Sequence, residues 1–446
     1  MGVGLTVRKG RSAELKALIV GAGIAGPTLA YWLLQAGHQP TLVERAPKLR
    51  RGGYLVDFWG AGFDVADRMG IVPELRRHGY VMREARDVGC DGRRIASIKP
   101  SAIMGPTERY VSIARSDLAA AIYDALEGAA ELILDDTVRA LDDDGDRVSV
   151  TFENGQPRDF DLVVGADGLH SQVRRLAFGP DEQFERYQNI FVSVFDVAGY
   201  RPRDELVAVM HAEAGFQAVR VSLRDDVTMV IFTVRHDGGV PLESVADQQA
   251  LLRERLRGAG WETQALIDAM PRAMTFYFDA VSQIRMPSWT RGRVALVGDA
   301  AACPSLLAGQ GSALAMIESY VLAAELARSN GDHRQAFARY QARLAPFLQS
   351  KQAAARRLGL AFAPQDRFQL LVRTTVMRLM GLPKVTDLAM GRSFHDAIEL
   401  PAFARAWRCQ VGCVSGRVSL GKELDCDHGC EEGRRAGGAG GSQAAS

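Results

Sequence analysis

Gly21, Gly23 and Gly26 stand in the spacing Gly-x-Gly-x-x-Gly at the end of an apolar run, Lys16–Val20. The first glycine permits a tight turn. The second lets a pyrophosphate approach the backbone, and the third lets the following helix pack closely on the strand. Ile24 and Ala25 fill the gap before the third glycine, where helix N–H groups and the helix dipole favour phosphate. Pro27 suits a first helical turn, where its missing N–H costs little. Glu44 ends the next apolar run, Pro40–Val43, about twenty residues on, where a carboxylate can bind ribose hydroxyls. A carboxylate suits a free 2′-hydroxyl and repels a 2′-phosphate, so FAD or NAD fits better than NADP; the adjacent Arg45 weakens that preference. The competing reading is a glycine-rich turn beside a surface glutamate.

Two further segments repeat the pattern of apolar run, glycine and aspartate: Asp161–Gly168, carrying Asp167 and Gly168, and Val294–Ala300, carrying Gly298 and Asp299. A nicotinamide dehydrogenase has no need of them. A flavin dinucleotide is longer, and its ribityl chain and pyrophosphate want partners from several loops. Asp299 could take a ribityl hydroxyl, although a helix N-cap explains it equally well. Gly309 and Gly311 would let backbone N–H groups approach an isoalloxazine ring.

These segments are similar to those of the class A flavoprotein monooxygenases, the para-hydroxybenzoate hydroxylase type, and in texture to the tetracycline-inactivating and polyketide-modifying members. The resemblance covers roughly residues 16–400. It rests on Gly21–Gly26 with Glu44, on Asp161, Gly165, Asp167, Gly168, Ser171 and Arg174, and on Gly298–Gly311. It implies that the middle motif serves both FAD and the pyridine nucleotide, that Arg115 contacts flavin, and that Arg51 and Asp57 belong to the loop serving NADPH and FAD. It also implies the chemistry: NADPH or NADH reduces the flavin, O2 adds to give a C4a-hydroperoxide, and one oxygen atom passes to an aromatic or polyketide-like small molecule. The flavin carries that chemistry, and no residue is nominated as catalytic. One departure is Ala300-Ala301-Ala302-Cys303-Pro304, where many members carry a histidine; Cys303 reads as a small packed residue. Two rivals remain: a flavin-dependent dehydrogenase or reductase, and a non-enzymatic flavin-binding redox sensor.

The elements that must position these residues follow an α/β plan: a Rossmann-like FAD-binding domain, an inserted β-sheet substrate domain and a C-terminal helical layer. The expected division is a loose extension over 1–15; the discontinuous FAD-binding domain at 16–80, 105–180 and 286–330; the substrate domain at 81–104 and 181–285; helices over 331–405; and a disordered Cys/Gly-rich tail at 406–446. Helices are expected over Thr28–Ala36, Ser116–Glu127 and Gln310–Asn330, with a later helical stretch broken at Pro346, Pro364 and Pro383. A single strand is expected over Asp159–Val164. Phe191, Phe195, Phe232 and Phe278 are candidate walls of a substrate site, or else ordinary sheet core.

Composition sets the outer bounds. The 446 residues are 47% hydrophobic and 24% charged, an ordinary globular balance. The net charge of +1 gives no electrostatic case for nucleic acid. No apolar run reaches the roughly 18 residues that span a bilayer. The expectation is a cytoplasmic monomer or homodimer with no stable membrane insertion. Cys409, Cys413, Cys426 and Cys430 tolerate a zinc spacing, but few apolar residues surround them, and no metal is expected.

Overall fold

The computed structural model describes residues 14–49, 54–238, 244–380 and 398–403. Arg51, Pro383, the cysteine tail and most of the N-terminal extension lie outside them.

A six-stranded sheet carries the glycine turns. Its spatial order is Thr290–Arg291, Val294–Leu296, Leu162–Gly165, Lys16–Val20, Gln39–Glu44 and Glu131–Leu134. The last five run parallel, and Thr290–Arg291 pairs antiparallel at one edge. Parallel strands covered on both faces need continuous apolar sequence. Ala17, Leu18 and Ile19 accordingly have no exposed surface, nor do Val163 and Val164. The register decides where the turns lie. Val20 pairs with Gly165, and Gly165 with Leu296. Three strands distant in the chain therefore end side by side at one edge of the sheet, where ligands of open α/β sheets bind.

Helix Ala25–Gln35 follows the first turn and packs against the long helix Gly311–Arg328. The latter is buried along almost its whole length, and its small residues allow close approach. A Cβ on Gly62 would lie 2.6 Å from Ala313 Cα. Helix Ala25–Gln35 starts three residues before the expected Thr28, because Ile24 already sits in helical conformation at its N-cap. The helix expected from Ser116 begins at Arg115 and ends at Asp124.

The second sheet has seven strands, in the order Thr275–Ile284, Glu185–Ala198, Val227–Arg235, Phe216–Ser222, Val207–Glu213, Glu84–Val88 and Arg94–Ile98. All its pairs are antiparallel except that of Val207–Glu213 with Glu84–Val88. Side chains alternate between faces along each strand. One face places Phe191, Phe195, Phe232 and Phe278 against Leu252, Leu266 and Ile267 of helices Val245–Arg255 and Thr263–Ala269, and against Leu256, which caps the first of them. The other face places Val192, Val194, Ile231 and Tyr277 against Tyr54, Leu306 and Leu307. The four phenylalanines are thus core on the face away from the glycine turns. The period of two puts their neighbours on the ligand side.

Two more expectations need correction. Asp159–Val164 is split: Arg158–Phe160 joins a three-stranded antiparallel sheet, and Leu162–Gly165 joins the parallel one. The chain changes partners at Asp161, whose carboxylate accepts the N–H of Lys16 at 2.7 Å. Helix His333–Phe362 runs through Pro346 without a break. Buried Leu344 and Leu348 on either side hold it, so packing outweighs the missing N–H. The break at Pro364 is present, before helix Arg367–Met380.

Candidate flavin site

At the first turn, Gly21 has φ 106°, and its N–H donates to Val43 O at 2.7 Å. A Cβ there would stand 2.5 Å from Ala166 O, so the first and second turns are in contact. A Cβ on Gly26 would stand 1.9 Å from Gly21 O, which makes the close helix–strand approach physical. Gly23 differs: a Cβ would meet only the Arg115 guanidinium, at 3.5 Å. Glu44 reaches back to this turn, Oε2 accepting from Ala22 N at 2.9 Å and Oε1 from Ala46 N at 3.0 Å. Arg45 beside it is exposed.

At the second turn, Asp167 accepts the hydroxyl of Ser171 and the N–H groups of Gln172 at 2.7 Å and Val173 at 3.1 Å. Burial raises its carboxyl above the ordinary value, against those bonds. It therefore caps helix Gln172–Ala177, while Gly168 turns the chain at φ 78°. Arg174 is wholly buried. It donates to Leu169 O at 2.6 Å, to Ala300 O at 3.1 Å and to Asp181 at 2.6 Å, tying the second turn to the third.

At the third turn, Gly298 has φ 64°, and its N–H donates to Glu318 Oε2 at 2.7 Å. Asp299 opens a short helix, Asp299–Ala302. Burial pushes its carboxyl up, while Arg115 and the Cys303 thiol pull it down. A Cβ on Gly311 would sit 3.9 Å from Asp299 Oδ1, and one on Gly309 4.0 Å from the Trp59 ring. Cys303 is 5% exposed, and burial raises its thiol well above the usual value, as a packed residue requires.

Arg115 joins the ends of this arrangement. Its N–H donates to Tyr54 O at 3.1 Å; its guanidinium stands over Gly23 and acts on Asp299. Asp57 is placed differently. Its carboxylate is taken by Tyr110 at 3.2 Å and by Ser112, both on the strand paired with its own, and not by any glycine turn. Burial of that carboxyl raises it above the ordinary value, against both bonds.

The structure adds residues that motif spacing does not single out. Glu318 lies in mid-helix yet holds the third turn, and burial raises its carboxyl well above the usual range. Tyr277 and Asp279 face the turns from the second sheet, with Tyr277 ring to ring with Tyr54 at 5.2 Å. The signal was present in the alternation Phe276-Tyr277-Phe278-Asp279, which gives one face of the strand to core and the other to polar groups.

A cavity of about 1390 Å³, lined in part by His38, Thr41, Glu131 and Phe160, touches none of the turns. It sits where strand Gln39–Glu44 begins, away from the edge that gathers the glycines. The glycine edge is the site the sheet topology supports.

The family model for an FAD binding domain matches residues 14–351. The chain belongs to the class A FAD-dependent monooxygenases. This monooxygenase is 36% identical over 372 residues to protein Rv1260 of Mycobacterium tuberculosis, covering 82% of the chain and 100% of the relative. It is also 36% identical over 339 residues to a flavin-dependent monooxygenase from an unknown prokaryotic organism, covering 76% of the chain and 88% of the relative. The crystal structure of tetracycline destructase Tet(55) superposes with a TM-score of 0.74 at 32% identity, covering 87% of this chain and 99% of that one. Among the described residues of the monooxygenase, no helix is long and apolar enough to cross a membrane, and no cluster of His, Cys, Asp or Glu could hold a metal ion.

Proposed function

We propose that this FAD-dependent monooxygenase takes electrons from NADPH or NADH and inserts one atom of O2 into an aromatic or polyketide-like small molecule. The observation that carries the reading is the meeting of three glycine turns at one sheet edge, joined by Arg115 and Arg174. The residues fit FAD. Gly21 and Gly26 leave no room for side chains, while Gly23 opens towards a guanidinium that can meet a pyrophosphate. Glu44 would hold ribose hydroxyls, and Asp299 a ribityl hydroxyl in exchange for its costly buried charge. The N–H groups near Gly309 and Gly311 would face the ring, and Asp167 with Gly168 would shape the wall between them. Bound FAD supplies the electron transfer and oxygen activation. The protein orients it and excludes water on the side that faces the second sheet.

The face of the second sheet towards the turns suits an apolar, ring-containing substrate, because Val192, Val194, Ile231 and Tyr277 cluster there with Tyr54 and Leu306. The name of the Tet(55) relative, a tetracycline destructase, supports a polycyclic compound. The test is NADPH oxidation with O2 uptake by FAD-loaded protein across phenolic and polycyclic compounds. The expected result is stimulation of both by at least one compound. Substrate-dependent NADPH oxidation that proceeds without O2 would identify a reductase instead.

A further inference from the structure

Among the described residues, ten large apolar side chains are exposed, and five of them share the 14-residue helix Arg367–Met380. Phe368 is 73% exposed and Leu371 63%, while Val372, Val376 and Leu379 lie between 46% and 49%. At about 100° per residue these five positions fall within an arc of roughly 140°. The opposite face is fixed. Buried Arg373 makes two bonds to Asp87, at 2.8 and 3.1 Å, and the helix packs on strands Arg94–Ile98 and Val207–Glu213. That anchor turns the apolar arc to solvent. Single exposed apolar residues are ordinary on a protein surface, but a contiguous stripe of them marks a contact.

The charges of this helix have one sign. It carries Arg367, Arg373 and Arg378 and no carboxylate. Arg367 and Arg378 are about three turns apart, so both stand on one edge of the apolar arc, and both are exposed. Arg94 and Lys99, at the ends of the neighbouring strand, are exposed as well. Two carboxylates meet the helix, and both are engaged: Asp87 by Arg373, and Asp366 by the N–H of Gln369 at 2.8 Å.

We propose that this face seats on the surface of an anionic phospholipid bilayer. The helix, about 21 Å long, lies in the plane of the interface and does not cross it. Phe368, Leu371, Val372, Val376 and Leu379 sink among the upper acyl chains. The long stems of Arg367 and Arg378 let their guanidinium groups reach the lipid phosphates from the same edge. Charge decides against a second copy of the chain as the occupant. An antiparallel copy would set the arginine edge against itself, and no pairing of two such helices supplies a carboxylate. Lipid phosphate supplies the missing sign. Docking there would bring the monooxygenase to the phase in which apolar, ring-containing compounds concentrate. The binding itself does not depend on what the substrate is.

The test is flotation of FAD-loaded, full-length protein with vesicles of phosphatidylcholine alone or with about 30% phosphatidylglycerol, the anionic lipid serving as the probe. The protein should float with the anionic vesicles and bind the neutral ones at least about tenfold more weakly. Sodium chloride at about 0.5 M should weaken the anionic binding, since exposed charges are screened. Arg378→Gln should cost about fivefold in affinity, and Arg367→Gln with Arg378→Gln about 25-fold. Phe368→Ser and Leu371→Ser should each cost about tenfold. All four positions are exposed, so the Tm of each variant should stay close to that of the wild type. Three results would overturn the proposal: no flotation with anionic vesicles, equal affinity for the two kinds of vesicle, or unchanged binding in the variants. A dimer seen by light scattering and lost in the Phe368→Ser protein would overturn it as well, by giving the face to a second copy.

Discussion

At the scale of single residues, the first turn is limited by space. Gly21→Ala puts a methyl group 2.5 Å from Ala166 O at a φ of 106°, a conformation that L side chains rarely adopt. The strain is of order 1–3 kcal/mol, and the two turns must separate to relieve it. The expected outcome is protein that folds with a lowered Tm and purifies with little FAD, read by visible absorbance and thermal melting. Asp299 is limited by charge. Its carboxyl is raised in the folded protein, so it favours the apo fold at low pH and loses that contribution as pH rises through the raised value. Asn carries no such penalty. Asp299→Asn should therefore raise the Tm of apo-protein more at neutral pH than at pH below the ordinary carboxyl value of about 3.9, and weaken FAD binding at neutral pH. The glycine spacing and Glu44 were legible because each requirement is local. Tyr277 and Asp279 were not, because their significance depends on which face of a strand meets turns distant from it in the chain.

At the scale of elements, buried charge pairs fix how layers meet. Arg174 binds the second turn to the third, and Arg373 binds helix Arg367–Met380 to strand Glu84–Val88. Arg373 makes two bonds to Asp87, at 2.8 and 3.1 Å, and Asp87 has no exposed surface. Arg373→Ala strands a buried carboxylate, a cost of about 3–5 kcal/mol. Adding Asp87→Leu should recover most of it, since the charge to be stabilised is gone. Denaturant melts of the single and double variants check this, and limited proteolysis after Pro364 should show the helix loosening in the single variant alone. Element types were largely readable from period and caps. The failures have specific causes. Pro346 is overruled by packing on both sides, and Asp161 divides one apolar run between two sheets. The phenylalanines of the second sheet are placed by parity, which composition does not reveal.

At the scale of the whole molecule, three strands from different parts of the chain end together, and the second sheet turns one face towards them. That arrangement explains why each turn looked incomplete alone. A reductase or a flavin-binding sensor could use the same cofactor cradle, but neither transfers oxygen to a product. The direct measurement is turnover of FAD-loaded protein with NADPH under isotopically labelled O2, followed by mass spectrometry of the product. One labelled oxygen atom is expected in each product molecule, with O2 and NADPH consumed in equal amounts when coupling is complete. Substrate-dependent NADPH oxidation giving product without the label would contradict the proposed oxygen transfer.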